Sequence, residues 1–140
     1  MPMPHVLIAD DDPLLRALLE HRFEAAGYRV VGVGDGHQAL KAIGDDPPDL
    51  LVLDAMMPVM DGFEALRRIR ADPAMRDIPV IMLTALRQED AVMNALNLGA
   101  ADYLSKPFIP DELLARARRV LPPLDAVSQN ADPSSASAGR

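Results

Sequence analysis

Short apolar runs alternate with longer amphipathic stretches five times along the chain. Each run is apolar at consecutive positions, as in strands of a parallel sheet that are buried on both faces. The longer stretches repeat apolar residues at helical spacing. The pattern predicts an α/β fold, a five-stranded parallel sheet with five helices covering both faces. The predicted strands are 6–9, 29–33, 50–53, 80–83 and 103–104.

The amphipathic stretches carry start and stop signals. Pro13 opens the first helix and Gly27 ends it, because proline suits the first helical position and glycine the residue after the last. The second, short helix, near 37–43, is expected to be stopped by Gly44 and the Pro47-Pro48 pair, and the fourth by Gly99. The fifth helix runs to Leu121, where we expect the fold to close.

The composition changes after Leu121. Residues 122–140 hold three prolines and four serines with little apolar content, which is typical of a flexible tail or a truncated linker. The 140-residue chain as a whole has an ordinary globular composition, with 49% apolar and 25% charged residues. We therefore expect one domain, 1–121, followed by the tail 122–140.

Charge and hydropathy limit the partners. The chain has no cysteine, no signal segment and no apolar run near the roughly 20 residues of a membrane span, so we expect a cytoplasmic protein without membrane contact. Its net charge of −7 argues against direct binding of nucleic acid by this domain.

Four of the predicted strands end in residues capable of chemistry. Asp10 and Asp11 follow the first strand, Asp54 the third, Thr84 the fourth and Lys106 the fifth. In open parallel sheets, ligands bind at the carboxyl ends of the strands where the strand order reverses. If the first and third strands flank that point, the three carboxylates are neighbours.

Three carboxylates in one cleft repel each other unless a cation neutralises them. Oxygen ligands suit Mg²⁺, which takes one or two protein carboxylates and leaves positions for phosphate oxygens. With a metal ion on one side and the ammonium of Lys106 on the other, Asp54 is placed to act as a nucleophile toward a phosphoryl donor.

The residues at these strand ends lie in four stretches that carry a family likeness. They are VLIADDDP at 6–13, LVLDAMMPVMDG at 51–62, TA at 84–85 and KPF at 106–108. With them the chain resembles the receiver domains of bacterial response regulators, over about residues 4–121. The resemblance implies a flavodoxin-like doubly wound sheet of strand order 2-1-3-4-5, the order of the chemotaxis receivers. That order is taken from the likeness and not from the periodicity.

The resemblance also implies the roles at the metal site. Asp54 would be the phosphoacceptor. Asp11, Asp54 and the backbone carbonyl of Met56 would bind Mg²⁺, with Asp10 acting through a water molecule. Asp12 is expected to have a simpler role, because an aspartate directly before Pro13 is a good helix cap.

The phosphoryl group would be bound by Thr84 and Lys106, and Tyr103 would follow Thr84 as the aromatic switch residue. The bond between Lys106 and Pro107 is expected to be cis, a form that only proline makes accessible at low cost. The donor would be a sensor histidine kinase or a histidine phosphotransfer protein. Asp61-Gly62 is predicted to be only a turn and a helix cap.

The output of such a switch stays open. The chain could be a stand-alone receiver, or the N-terminal receiver of a larger regulator with a DNA-binding or nucleotide cyclase output. The resemblance implies that phosphorylation shifts the face made by the fourth helix, the fifth strand and the fifth helix. In receivers of the second kind this face dimerises, and Asp102 and Arg116 would pair across a two-fold axis.

Two other functions compete with the switch. A phosphatase of the haloacid dehalogenase type needs a second aspartate two residues after the nucleophile, where this chain has Met56. A phosphorylation-independent interaction module would not require the acidic residues. We expect no enzyme activity beyond self-phosphorylation and autodephosphorylation. The autodephosphorylation should be slow, because Met56 and Leu86 offer no polar group to orient an attacking water.

Overall fold

The computed structural model describes residues 3–85 and 89–124. Five strands alternate with five helices in this part of the chain. The strands are β1 (His5–Ala9), β2 (Arg29–Val33), β3 (Leu50–Asp54), β4 (Val80–Thr84) and β5 (Asp102–Ser105). The helices are α1 (Pro13–Ala25), α2 (Gly36–Asp45), α3 (Gly62–Ala71), α4 (Glu89–Asn97) and α5 (Pro110–Val120). All neighbouring strands are parallel and the order is β2-β1-β3-β4-β5, which confirms the predicted fold.

The sheet separates two layers of apolar packing. Successive side chains of a strand point to opposite faces, so Val6 and Ile8 pack with residues of α1 and α5, such as Phe23. Leu7 and Ala9 face the other way and pack with residues of α2 and α3. The strands β1, β3 and β4 are buried along their whole length because both faces are covered. The sheet therefore holds the residues at its ends on a rigid base.

The second helix differs from its prediction. It continues through Gly44 to Asp45, so the predicted stop at Gly44 is wrong, whereas the predicted Pro47-Pro48 pair does follow the end of the helix. Nothing lies within 4 Å of the position that a Cβ would take at Gly44, so its glycine is not there to relieve crowding. The helix instead ends where Asp46 adopts an extended backbone, shortly before two prolines that cannot continue a helix.

The chain stays close to the domain beyond α5. Leu121 is buried, and Leu124 packs partly buried against the layer that contains α1 and α5. Residues 125–140 of the predicted tail lie outside the described residues, so the flexible tail stays a prediction. Within the described ranges, no helix has the length and apolar content needed to span a membrane.

Candidate functional site

The carboxyl ends of the strands bring the predicted residues together. Asp10 directly follows β1 and Asp54 is the last residue of β3, and these two strands pair in the sheet. Each of Asp10, Asp11 and Asp54 offers a carboxylate oxygen within 4.8 Å of the others. Asp10 and Asp54 are buried, whereas Asp11 is exposed. The expected cluster of three carboxylates is confirmed.

Local hydrogen bonds fix the loops that carry these carboxylates. The Asp10 carboxylate accepts a hydrogen bond from the Asp12 backbone at 2.9 Å, and the Asp54 carboxylate accepts one from the Met56 backbone at 3.2 Å. Asp12 caps α1 by accepting from two backbone N–H groups of its first turn, as predicted. Asp61 caps α3 by accepting a hydrogen bond from the backbone N–H of Glu64. Each acidic loop is thus tied to the start of a helix.

Gly62 has a closer relation to the site than its predicted role as a turn residue. A Cβ at this position would lie 2.2 Å from the backbone oxygen of Asp54. The first turn of α3 therefore approaches the end of β3 so closely that only glycine fits. The Asp61-Gly62 pair before a helix was the available signal, but sequence spacing does not show which backbone the glycine meets.

Lys106 lies between the two buried carboxylates. Its Nζ is 3.0 Å from Oδ2 of Asp10 and 3.1 Å from Oδ2 of Asp54. Its backbone N–H donates to the carbonyl of Thr84 at 2.8 Å, which ties the loop after β5 to the end of β4. The bond between Lys106 and Pro107 is cis, as expected. The ammonium therefore bridges the first and third strands from the fifth.

The electrostatics of the site follow from this geometry. Burial and the neighbouring Asp10 raise the pKa of Asp54 to about 6, although Lys106 opposes the rise. Burial by itself would lower the pKa of Lys106, but the contacts with Asp10 and Asp54 outweigh it and raise that pKa above its ordinary value. The carboxylates thus repel each other at this distance, and a cation bound between them would reduce the repulsion.

The side chains of Thr84 and Tyr103 are in contact. The Thr84 side chain is buried, and the Tyr103 side chain is half-buried on the neighbouring strand. Burial raises the pKa of Tyr103, while a side-chain hydrogen bond with Thr84 opposes the rise. Any change at the Thr84 hydroxyl would therefore reach Tyr103 directly.

The proposed dimer residues pair within one chain. Arg116 Nη1 lies 2.8 Å from Asp102 Oδ1, and Arg116 Nη2 lies 3.2 Å from Glu112 Oε2. The pairing across a two-fold axis stays a prediction, and it would have to replace the contact with Asp102. Leu86, the second position expected to slow hydrolysis, lies outside the described residues.

A cavity with a volume of about 370 Å³ opens beside Lys106. The lining is mostly apolar, and its residues come from α1, the end of β4 and the loop after β5. They are Asp12, Leu15, Ala85, Lys106, Pro107 and Phe108.

The fold and the site together define a doubly wound α/β domain with a carboxylate pocket at the point where the strand order reverses. The chain belongs to the response regulator receiver domain family, whose model matches residues 6–118. This confirms the family that the sequence motifs suggested.

Curated relatives and solved structures agree with this family. The chain is 42% identical over 130 residues to the probable transcriptional regulator ycf27 of Porphyridium aerugineum, covering 93% of this chain and 53% of that protein. It is 43% identical over 129 residues to the DNA-binding dual master transcriptional regulator RpaA of Synechocystis, covering 92% of this chain and 54% of that protein. The chain therefore spans about half the length of these relatives.

Two solved receivers have the same fold. The receiver domain of the Francisella response regulator 1452 superimposes with a TM-score of 0.79 at 37% identity, covering 84% of this chain and 95% of that chain. The chemotaxis response regulator CheY4 of Vibrio cholerae gives 0.79 at 34% identity, covering 84% of this chain and 98% of that chain.

Proposed function

We propose that this receiver domain is a phosphorylation switch in which Asp54 accepts a phosphoryl group from a sensor histidine kinase or a histidine phosphotransfer protein. The observation that carries the proposal is the position of the Asp54 carboxylate. One of its oxygens lies within 4.8 Å of oxygens of Asp10 and Asp11, and Oδ2 is 3.1 Å from the Lys106 ammonium. A carboxylate next to both an oxygen-rich cation site and a fixed ammonium is suited to receive an anionic group.

The acidic cluster fits Mg²⁺ by the chemistry of its donors. Carboxylate oxygens on two loops, one of them exposed, leave room for the waters that Mg²⁺ retains. Asp11, Asp54 and the backbone carbonyl of Met56 would hold the ion, and Asp10 would act through a water molecule. When bound, the ion would neutralise the carboxylates and the incoming phosphoryl oxygens.

The transfer exchanges one bond to phosphorus for another. A carboxylate oxygen of Asp54 attacks the phosphorus of the donor phosphohistidine, and the N–P bond breaks as the O–P bond forms. The imidazole leaves with the electron pair and takes a proton from solvent. Lys106 would turn from its contact with Asp54 to a phosphoryl oxygen, and the cavity beside it would receive part of the donor.

The switch would start at Thr84. If its hydroxyl turns to a phosphoryl oxygen, its hydrogen bond with Tyr103 changes, and Tyr103 can move toward the position that Thr84 leaves. That motion would alter the face formed by α4, β5 and α5, which includes Asp102 and Arg116.

The test is phosphorylation from a small donor. We would incubate the chain with Mg²⁺ and acetyl phosphate and measure intact mass for wild type, Asp54→Ala and Asp45→Asn, the last being an exposed aspartate of α2. Wild type and Asp45→Asn should gain one phosphoryl group, and Asp54→Ala should gain none. No gain by folded wild type that binds Mg²⁺ would favour a phosphorylation-independent module.

The output we propose is control of an attached domain. Its support is that the named relatives are transcriptional regulators and that this chain spans about half of their length. Phosphorylation would promote a dimer in which the contact of Asp102 with Arg116 is exchanged between subunits. Because one contact replaces another, this pair would add little to affinity and more to orientation. Light scattering of phosphorylated protein that shows only monomer at high concentration would contradict dimerisation.

The phosphoryl group should persist. The Met56 side chain is exposed beside Asp54 and has no group that orients an attacking water. We expect a half-life of minutes or longer in Mg²⁺, measured by loss of the phosphorylated mass after removal of acetyl phosphate. The variant Met56→Asn should lose the group faster, and a wild-type half-life of a few seconds would show that the reasoning is wrong.

A further inference from the structure

The Asp10 carbonyl has a charged donor outside the sheet. The pairing of β1 with β2 and with β3 ends at Ala9, so the backbone oxygen of Asp10 lies beyond both ladders. Arg16, the fourth residue of α1, donates a hydrogen bond to this oxygen from Nη1 at 2.7 Å. A buried backbone oxygen requires such a donor, and a charged one makes a stronger hydrogen bond.

Gly32 in β2 leaves room for this arginine and for Glu20. A Cβ at Gly32 would lie 1.8 Å from Oε2 of Glu20 and 3.1 Å from Cδ of Arg16, and a Cβ at Gly34 would lie 3.4 Å from Nη1 of Arg16. The Arg16 and Glu20 side chains therefore lie over the backbone of β2 at Gly32, and Arg16 also reaches Gly34 just after the strand. Glu20 also holds the guanidinium, with Oε2 3.9 Å from Nε.

From this arrangement we propose that Arg16 is a positioning residue for the Mg²⁺ site, an inference that rests on the proposed function. The carbonyl it holds belongs to the peptide that joins Asp10 to Asp11. Fixing that peptide fixes the direction in which both carboxylates leave the backbone. Arg16 thus acts through the β1–α1 loop and not by touching the cation or the phosphoryl group.

The sign of the effect separates this role from two simpler ones. Arg16 carries a positive charge close to a cation site, so its charge alone weakens Mg²⁺ binding, and removing it would strengthen binding. A role limited to folding stability would leave the affinity of the folded protein unchanged. Only the positioning role predicts weaker binding when the arginine is removed.

The experiment is a calorimetric titration of the 140-residue chain with MgCl₂. The variants are Arg16→Gln, Arg16→Lys and the control Arg22→Gln, which removes the same charge from the same helix at an exposed pair with Asp111. Circular dichroism establishes which variants are folded. Loss of a residue that orients a metal ligand typically costs tenfold or more in affinity, so we expect Arg16→Gln to bind about tenfold more weakly and Arg22→Gln about as wild type.

The lysine variant keeps the inference testable if Arg16→Gln fails to fold. It retains the charge but has a shorter reach and a single donor nitrogen, so a positioning role predicts weaker Mg²⁺ binding and a charge role predicts no change. Affinity of folded Arg16→Gln or Arg16→Lys equal to or above that of wild type would overturn the inference alone. Wild type that does not bind Mg²⁺ would overturn the proposed metal site together with it.

Discussion

Replacing Asp54 by asparagine should stabilise the Mg²⁺-free domain. Burial and Asp10 raise the pKa of Asp54 from 3.8 to about 6, so the folded state holds a proton more tightly than the unfolded chain. The contribution of this group to stability is fully present below pH 3.8 and is lost as the pH rises through 6. Asparagine has nearly the same shape and does not titrate there, so it avoids this loss.

The size of the effect follows from the two pKa values. Their separation corresponds to about 3 kcal/mol at pH values above both. This value already includes the opposing attraction of Lys106, whose Nζ is 3.1 Å from the carboxylate. Because the asparagine amide replaces a carboxylic acid only approximately, we expect about 1–3 kcal/mol in the free energy of unfolding at pH 8. At pH 4.5 most of the difference should vanish, because wild type is then largely protonated.

Urea denaturation in EDTA tests this expectation. Circular dichroism is a suitable probe, since the chain has no tryptophan. The control Asp45→Asn removes the same charge from an exposed position and should change stability by less than about 0.5 kcal/mol. An Asp54→Asn variant no more stable than wild type at pH 8 would refute the cost assigned to the buried charge. Equal gains in both variants would assign the effect to net charge.

Two further substitutions test other contacts of the site. Lys106→Met should destabilise the Mg²⁺-free domain by about 2–4 kcal/mol at pH 8, because it leaves two buried carboxylates without their cation. The loss should shrink at pH 4.5, and an unchanged unfolding midpoint at pH 8 would contradict it. Gly62→Ala should cost roughly 2 kcal/mol or more, since its Cβ would lie 2.2 Å from the Asp54 carbonyl, whereas Gly44→Ala should add up to about 1 kcal/mol. Urea denaturation measures both, and equal effects of the two alanines would contradict the crowding at Gly62.

Hydrophobic patterning predicted the type of all ten elements and their succession along the chain. It could do so because the central strands are buried on both faces and each helix is buried on one side. The errors fell at element ends. Gly44 was expected to stop α2, but an exposed glycine in a last helical turn costs too little to end it. The strands β3 and β4 each extend one residue beyond the prediction, to Asp54 and Thr84. A polar residue can be the last member of a strand, and a pattern of apolar residues does not detect it.

The site was predicted as far as strand ends determine it. Parallel strands place Asp10, Asp54 and Lys106 at one edge regardless of side-chain conformation. Which of several acidic groups a long side chain reaches is set by rotamers and by neighbouring elements, so the sequence could not show that Lys106 bridges both carboxylates. The hydrogen bond from Arg16 to the Asp10 carbonyl was not predicted for the same reason, since a lone arginine on an amphipathic helix usually faces solvent.

Lys106 and a bound cation would serve the same carboxylates, and this overlap links stability to signalling. Without a metal ion, the Lys106 ammonium lies 3.1 Å from the Asp54 carboxylate and compensates its charge, yet the pKa of Asp54 stays above its ordinary value. Lys106 therefore offsets only part of the repulsion. The remaining cost is energy that a divalent cation can recover when it binds, because the cation gives the unbalanced carboxylate charge a partner. A pocket fully neutralised by its own residues would be more stable in isolation and would bind the cation more weakly.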